Sequence, residues 1–212
     1  MSKIGKIEGE PLADRRVELL DAAARAFMRQ GFAATSLDRV SEEIGSTKGA
    51  IYYYYRSKSE LFFAVHRRGM ELTQAAIRPP FDMQAAPRER LHAMAFAHTL
   101  LVIDNLPYLR VIAQGLEMHL LARTNESERA ELAEVGALRQ ANENLYIRVI
   151  KEGIASGDFR SVDAKLAAKP LLGALNWTSR WYQPRDGETQ ASKKKLALSI
   201  ADFVTAGLEA RH

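Results

Sequence analysis

The sequence predicts an all-α protein. Apolar residues recur at helical spacing along most of the 212 residues, helix-start and helix-stop residues separate these stretches, and no alternating strand pattern of useful length is present. With 47% hydrophobic and 26% charged residues, the composition is typical of a globular chain rather than a disordered one. We therefore expect about nine helices and a substantial apolar core.

The first two helices are predicted from apolar periodicity and capping residues. In residues 14–30 the apolar side chains recur at i, i+3, i+4 and i+7, and Gly31 is expected to end this helix. Thr35 with Asp38 matches the capping-box pattern at the start of the second helix, and Gly45 suits the stop position after it.

Two further helices are predicted before residue 80. Thr47 can cap a short third helix at 48–54, in which Ile51 should point inward. Ser57 with Glu60 gives another capping-box pattern, which opens a fourth helix. We expect this helix to end at Pro79-Pro80, because neither residue can donate a backbone hydrogen bond.

The remainder of the chain is predicted to be helical as well. Residues 79–87 are interpreted as a hinge or linker, and helices are predicted at about 88–105, 107–121, 126–156, 163–182 and 193–210. Pro107 suits a first-turn position. Pro170 falls inside the 163–182 stretch, where it should either kink the helix or delay its true start.

Charge and cysteine content limit the classes of function. The chain has no cysteine, which excludes disulfides, thiolate metal sites and cysteine nucleophiles. Net charge is +4, and residues 45–80 alone carry six basic against two acidic side chains, also +4. A local surplus of positive charge favours a polyanionic partner, although a solvated helix face accounts for it equally well.

Residues 35–61 have the organisation of a helix-turn-helix. A nine-residue helix packed through its apolar face is followed by the tight turn that Gly45 permits. The second helix then begins with small and polar residues, Ser46 to Ala50, which would let its backbone approach the major groove. Four tyrosines follow, Tyr52 to Tyr55. We expect Tyr55 to pack inward and Tyr52 and Tyr53 to face outward, with their hydroxyls available to phosphates. The alternative is that the tyrosines form a purely structural aromatic cluster.

The segment from Arg16 to Val65 resembles, without gaps, the N-terminal domain of the TetR family of transcriptional repressors. The motifs that carry this resemblance are Gly31-Phe32, Thr35-Ser36-Leu37, Gly45-Ser46-Thr47-Lys48-Gly49, Ile51-Tyr52 and Ser57-Lys58-Ser59-Glu60-Leu61. Ser46, Ser41 and Tyr55 stand where the family usually has Val, Ala and Phe.

This resemblance implies a DNA-binding domain at 12–72 and a ligand-binding and dimerisation domain at 73–212. It also implies a dimer that places two recognition helices about 34–36 Å apart on a pseudo-palindromic operator in double-stranded DNA. The residues predicted to bind DNA are Thr35, Ser46, Thr47, Lys48, Gly49, Tyr52, Tyr53 and Lys58.

The C-terminal region shows no catalytic signature, cofactor motif or metal-ligand spacing, so we expect neither an enzyme nor a metal or cofactor site. Apolar positions at 171–175 and at Leu196, Ile200, Phe203 and Gly207 favour two helices that would form a four-helix bundle with a second subunit. The alternative is that both helices form the core of a monomer.

Residues 171–189 are similar to a subgroup of these regulators linked to acyl-CoA and steroid-catabolite sensing. Arginine beside an indole offers phosphate contact and ring stacking, which suits a nucleotide-like carrier. The alternative is tryptophans in the core and Arg180 in a rim ion pair. The residues predicted to bind the ligand are Asn144, Arg148, Asn176, Trp177, Arg180 and Trp181, and further polar candidates on apolar helices are His98, Asn105, Gln114 and His119.

We therefore predict a homodimeric, ligand-responsive repressor that a small apolar or acyl-CoA-like effector releases from its operator. A helical small-molecule-binding protein without specific DNA binding is the alternative. No apolar run reaches the ~20 residues of a membrane helix, and no secretory signal precedes the first helix, so we expect a cytoplasmic protein without a membrane partner.

Overall fold

The computed structural model describes residues 12–45, 48–120 and 125–210. In that part of the chain all regular structure is helical, apart from an isolated antiparallel bridge between Phe159 and Glu209, which confirms the all-α prediction. The helices are α1 (Leu12–Ala34), α2 (Leu37–Glu43), α3 (Lys48–Tyr54), α4 (Lys58–Asp82), α5 (Pro87–Asp104), α6 (Leu106–Leu120), α7 (Glu126–Ser156), α8 (Ala164–Trp181) and α9 (Gln190–Ala206).

The chain divides into two compact units, residues 1–65 and 66–212. The first unit contains α1, α2, α3 and the start of α4, and the second contains the rest of α4 and α5 to α9. The predicted domain division after residue 72 stays a prediction.

The core of the first unit is an aromatic cluster that the turn at Gly31 makes possible. Gly31 has a φ of +76°, a conformation that side-chain-bearing residues rarely adopt, and it interrupts the helical backbone of α1 as expected. The chain then brings the ring of Phe32 to 6.0 Å from that of Phe27, and both rings contact Phe62 of α4 edge-on, at 5.0 and 5.2 Å between centroids. This packing fixes α1 against the start of α4.

The start of α2 differs from the prediction, because Ser36 rather than Thr35 is the N-cap. The Ser36 hydroxyl accepts a hydrogen bond from the backbone N–H of Arg39, and its backbone is extended. The Thr35 hydroxyl instead donates to the carbonyl oxygen of Gly31 at 2.8 Å, since the break in α1 leaves that carbonyl accessible. At α4 one half of the predicted capping box is present, since Ser57 accepts from the N–H of Glu60; the Glu60 carboxylate accepts from the N–H of Arg56 instead of that of Ser57.

The expectation that Pro79-Pro80 ends the fourth helix is wrong. Helix α4 continues through both prolines to Asp82. Beyond them Phe81 is buried, and three guanidinium groups lie 4.9–5.4 Å from its ring centroid, those of Arg78, Arg90 and Arg148. Burial of this ring and its contacts with the three guanidinium groups favour a helix that extends beyond both prolines, so tertiary packing overrides the local preference.

In the second unit, α5 packs against α7, α8 and α9. The Asp163 carboxylate caps α8 by accepting from the backbone N–H groups of Lys165 and Leu166, so Pro170 lies inside this helix and does not mark its start. Pro107 is the second residue of α6, as its predicted first-turn position requires. Within the described residues, no helix is both long and apolar enough to cross a membrane.

Candidate DNA-binding surface and ligand cavity

The helix-turn-helix of the first unit is formed by α2 and α3, which pack against each other. Leu37 and Val40 of α2 and Ile51 of α3 are buried, and Gly45 between the helices has a φ of +62°. The turn conformation therefore requires a residue that tolerates positive φ, as the sequence indicated.

The exposed side of α3 carries small and phenolic residues. A Cβ atom added to the exposed Gly49 would meet no other atom within 4 Å. Tyr52 and Tyr53 are 43% and 77% exposed, whereas Tyr55 is 2% exposed and its hydroxyl accepts a hydrogen bond from Nε of Arg16 at 3.3 Å. The predicted inward and outward orientations of these three tyrosines are confirmed.

The other residues predicted to bind DNA differ in their surroundings. Thr35 is buried, and the Nζ of Lys58 donates to the carbonyl oxygen of Ala33 at 3.1 Å and lies 4.5 Å from the ring centroid of Phe32. Ser46, Thr47 and the side chain of Lys48 lie outside the described part of the structure. The role of each of these residues in DNA binding stays a prediction.

The second unit contains a cavity of about 440 Å³ formed by α4 to α8. Much of its wall is apolar, with Met70, Leu109, Ile112 and Leu172 among the residues that line it. The polar part of the wall includes Arg139, Asn142, Asn176 and Arg180, together with Lys169 and Glu143, which form an ion pair at 2.6 Å. An apolar cavity of this size with a few polar groups is typical of a small-molecule site.

A hydrogen-bonded chain of three residues lies at this cavity. The ring of His98, which is 3% exposed, has Nδ1 at 2.9 Å from the Tyr146 hydroxyl and Nε2 at 3.1 Å from Oδ1 of Asn176. Burial lowers the pKa of His98 to about 4 and raises the pKa of Tyr146, so both side chains are neutral at pH 7.

Three of the six predicted ligand residues line this cavity: Asn176, Trp177 and Arg180. The other three do not, since Asn144 is exposed and accepts a hydrogen bond from Gln140, the guanidinium of Arg148 lies against Phe81, and Trp181 lines a separate depression near the end of α8. Their role in ligand binding stays a prediction.

The further polar candidates lie in different places, and only some of them line the cavity. His98 lines the cavity, Asn105 is the C-cap of α5, Gln114 does not line the cavity, and the side chain of His119 is outside the described part. Three further residues line the cavity that the sequence did not predict: Tyr146, Arg139 and Lys169. Each lies on a long helix, and helical periodicity does not show which neighbouring helices that side chain will face.

A second cavity of about 390 Å³ lies in the same unit, lined by residues that include His66, Arg129 and Arg139. Arg139 thus borders both cavities. Burial and the nearby charge of Arg139 lower the pKa of His66 to about 4. Among the described residues, no group of three metal-ligating side chains comes together.

Comparison with known proteins identifies the family. Residues 84–208 match the family described as "Tetracyclin repressor-like, C-terminal domain", and residues 19–65 match "Bacterial regulatory proteins, tetR family". The chain belongs to the TetR family. It is a TetR-type DNA-binding transcriptional repressor, and the family consists of regulators rather than enzymes.

Relatives match this TetR-family chain over nearly its whole length. It is 26% identical over 198 residues to the HTH-type transcriptional repressor KstR2 of Mycobacterium tuberculosis, covering 92% of this chain and 95% of the relative. The structure of PfmR from Thermus thermophilus is 27% identical, with a TM-score of 0.76 over 91% of this chain and 99% of that one. The structure of AibR in complex with isovaleryl coenzyme A and operator DNA is 25% identical, with a TM-score of 0.73 over 92% and 98%.

Proposed function

We propose that this repressor acts as a homodimer on a pseudo-palindromic operator and that an acyl-coenzyme A thioester releases it. The observation that carries this proposal is the cavity of about 440 Å³ in the second unit, whose wall combines apolar side chains with cationic ones. An acyl chain suits the apolar part of the wall, and coenzyme A phosphates suit its two arginines, since Lys169 already pairs with Glu143. The coenzyme A complex of AibR supports the same ligand class.

The surface of α3 supports the DNA-binding half of the proposal. Because a Cβ atom on Gly49 would meet no other described residue within 4 Å, the backbone of α3 can approach base edges at this point. The side chains of Tyr52 and Tyr53 are exposed, and tyrosine hydroxyls of this kind contact phosphate oxygens. The predicted DNA-binding set Thr35, Ser46, Thr47, Lys48, Gly49, Tyr52, Tyr53 and Lys58 forms part of this proposal.

Exposed apolar side chains on α8 and α9 support the homodimer. Helix α9 turns Ala197, Ala201 and Val204 toward the core, while Phe203 is 77% exposed. On α8, Leu166 and Trp177 are exposed as well. A second copy that covers these faces would build the four-helix bundle that the sequence predicts, and would supply the two recognition helices that a pseudo-palindrome needs.

The release mechanism follows from the extent of α4. This helix begins in the first unit, and its residues Met70 and Thr73 line the cavity of the second. A ligand that contacts these residues favours a different position of α4 and a separation of the recognition helices that no longer matches the operator. By linkage, operator DNA weakens thioester binding by the same factor that the thioester weakens DNA binding.

A gel-shift titration at fixed salt tests the proposal. Full-length protein is mixed with duplex DNA from the promoter region of its own or neighbouring genes, with and without octanoyl-coenzyme A. We expect a specific complex that the thioester dissociates. Lack of specific binding at micromolar protein overturns the operator claim, and a complex that no thioester dissociates overturns the ligand claim alone.

Sedimentation of a Phe203→Asp variant tests the homodimer. A buried, unpaired carboxylate in an apolar interface should shift the protein to monomer and weaken operator binding in parallel. Lys151→Asp on α7, also at an exposed position, is the matched control and should remain dimeric. A wild-type protein that sediments as a monomer with duplex present contradicts the proposal.

A further inference from the structure

The polar part of the cavity wall is organised around the buried ring of His98. Because burial keeps this imidazole neutral at pH 7, it carries a single N–H. Oδ1 of Asn176, 3.1 Å from Nε2, can only accept a hydrogen bond. The N–H of His98 is therefore on Nε2, and Nδ1 is an acceptor.

The Tyr146 hydroxyl supplies the proton that Nδ1 accepts. It lies 2.9 Å from Nδ1 and 3.4 Å from the carbonyl oxygen of Met94, so the bond to His98 is the shorter of the two. Burial keeps the phenol protonated and therefore able to donate. Tyr146 thus donates to His98, and His98 donates to Asn176, which holds the Asn176 amide with its oxygen toward the ring.

In this orientation the oxygen of the Asn176 amide is hydrogen-bonded to His98, and the amide nitrogen, Nδ2, is not part of the chain of hydrogen bonds. Asn176 lines the cavity and is exposed to solvent, and within residues 12–45, 48–120 and 125–210 no protein group accepts a hydrogen bond from its Nδ2. Its neighbours along the wall include the apolar Leu172 and Trp177. An amide N–H beside these apolar side chains suits a carbonyl oxygen, which accepts a hydrogen bond without bringing a charge to the wall.

We propose that Asn176 determines ligand specificity by donating from Nδ2 to the thioester carbonyl oxygen of the acyl-coenzyme A, with His98 and Tyr146 as positioning residues. The inference rests on the proposed function, because it takes the thioester to occupy this cavity. A ligand without the carbonyl leaves the N–H groups of Asn176 unpaired in the complex, which makes binding weaker.

Two ligands that differ in the carbonyl alone test this assignment. Octanoyl-coenzyme A is a thioester, and S-octyl-coenzyme A is the corresponding thioether. Calorimetric titration of the full-length wild-type protein should give a Kd about tenfold higher for the thioether. In Asn176→Ala the two Kd values should become equal, because the thioester loses its hydrogen bond and the thioether has none to lose.

The positioning role has its own readout, the ratio of the two Kd values. Tyr146→Phe removes the hydroxyl that donates to Nδ1 and should lower the ratio to roughly threefold, since the His98 tautomer is no longer fixed. A loss of stability alone would weaken both ligands equally and leave the ratio unchanged. Gln140→Ala removes an exposed amide on α7 outside the cavity, so it is the matched control and should keep the tenfold ratio.

The outcomes separate this inference from the proposed function. Equal binding of both ligands by the wild type, a tenfold ratio retained in Asn176→Ala, or no binding of octanoyl-coenzyme A overturns the assignment of Asn176. The gel shift of the unliganded protein on its operator is run in parallel. If the operator complex forms while the ratio fails, DNA binding stands and only the carbonyl contact is withdrawn.

Discussion

The tyrosines of α3 and the polar residues of the cavity place similar chemical groups in opposite surroundings. Tyr53 presents its hydroxyl to solvent, whereas Tyr146 is fully buried and bonded to His98. The first arrangement leaves a donor available to any phosphate along a duplex. In the second, Tyr146 and His98 donate to groups within the protein, and Nδ2 of Asn176 is the donor that we propose binds the ligand.

This difference indicates how each unit achieves selectivity. On α3 the property that the proposed DNA contact depends on is space, because no other described residue lies within 4 Å of a Cβ atom added at Gly49. In the cavity the important property is pairing, because each buried polar atom without a partner costs free energy. A substitution that fills space should therefore affect the first unit through DNA binding and the second through folding.

The largest expected effect is at Gly49. Gly49→Leu should fold normally, since the site is open, and should lower operator affinity by at least about 100-fold by holding α3 away from the base edges. Fluorescence anisotropy with labelled operator at fixed salt measures this change. Gly136→Leu, an equally open glycine on α7, is the control. Unchanged affinity in Gly49→Leu would show that α3 does not enter the groove as proposed.

In the second unit, Gly153 should behave in the opposite way. A Cβ atom there would lie 2.1 Å from Cδ2 of the buried Phe159, so Gly153→Ala should lower the free energy of unfolding by about 1–3 kcal/mol. Gly136→Ala has no such neighbour and should raise it by up to about 1 kcal/mol through helix propensity. Urea denaturation compares the two, and equal effects would contradict the packing argument.

A pH-dependent loss of stability is expected from His98. Its folded-state pKa of about 4 lies below the unfolded value of 6.5, so the unfolded state binds more protons between these values and stability falls as pH falls from 6.5 toward 4. At pH 5 this histidine alone should reduce the free energy of unfolding by about 2 kcal/mol relative to pH 7. In His98→Gln the difference between urea curves at pH 7 and pH 5 should be smaller by that amount, and an unchanged difference rules out the buried neutral ring.

The smallest effects are expected at Tyr53 and Tyr55, which lie two residues apart in the sequence. Tyr53→Phe should weaken operator binding about threefold without changing stability, because its hydroxyl is exposed. Tyr55→Phe removes the acceptor of the Arg16 hydrogen bond and should lower the free energy of unfolding by about 1 kcal/mol. Anisotropy and thermal unfolding of both variants provide the measurements, and the reverse pattern would contradict the observed exposures.

Local features of the chain were predicted well because their causes are local. The break at Gly31, the turn at Gly45 and the cap formed by Ser57 and Glu60 each depend on residues within four positions of one another. The orientation of Tyr52, Tyr53 and Tyr55 follows from the rotation of about 100° per helical residue. The predicted cap at Thr35 was wrong because the hydroxyl of the next residue, Ser36, caps α2, while the Thr35 hydroxyl donates to the carbonyl oxygen of Gly31.

The cavity was predicted only in part because its residues come from distant helices. Asn176 and Trp177 were selected for their proximity to Arg180 along the sequence, and this proximity survives folding within α8. The pairing of His98 with Asn176 spans 78 residues and follows no periodicity. Arg148 and Trp181 show the same limit, since helical spacing alone could not exclude them from the cavity.

The amino-acid sequence by itself determined the helices, the tight turn before α3 and the inward and outward faces of that helix, since hydrogen bonding and apolar periodicity act over a few residues. The tertiary structure decided that α4 continues through Pro79-Pro80 to bury Phe81, and that His98, Tyr146 and Asn176 meet at one wall. Both outcomes depend on the free energy of packing side chains from separate helices, which no local pattern contains.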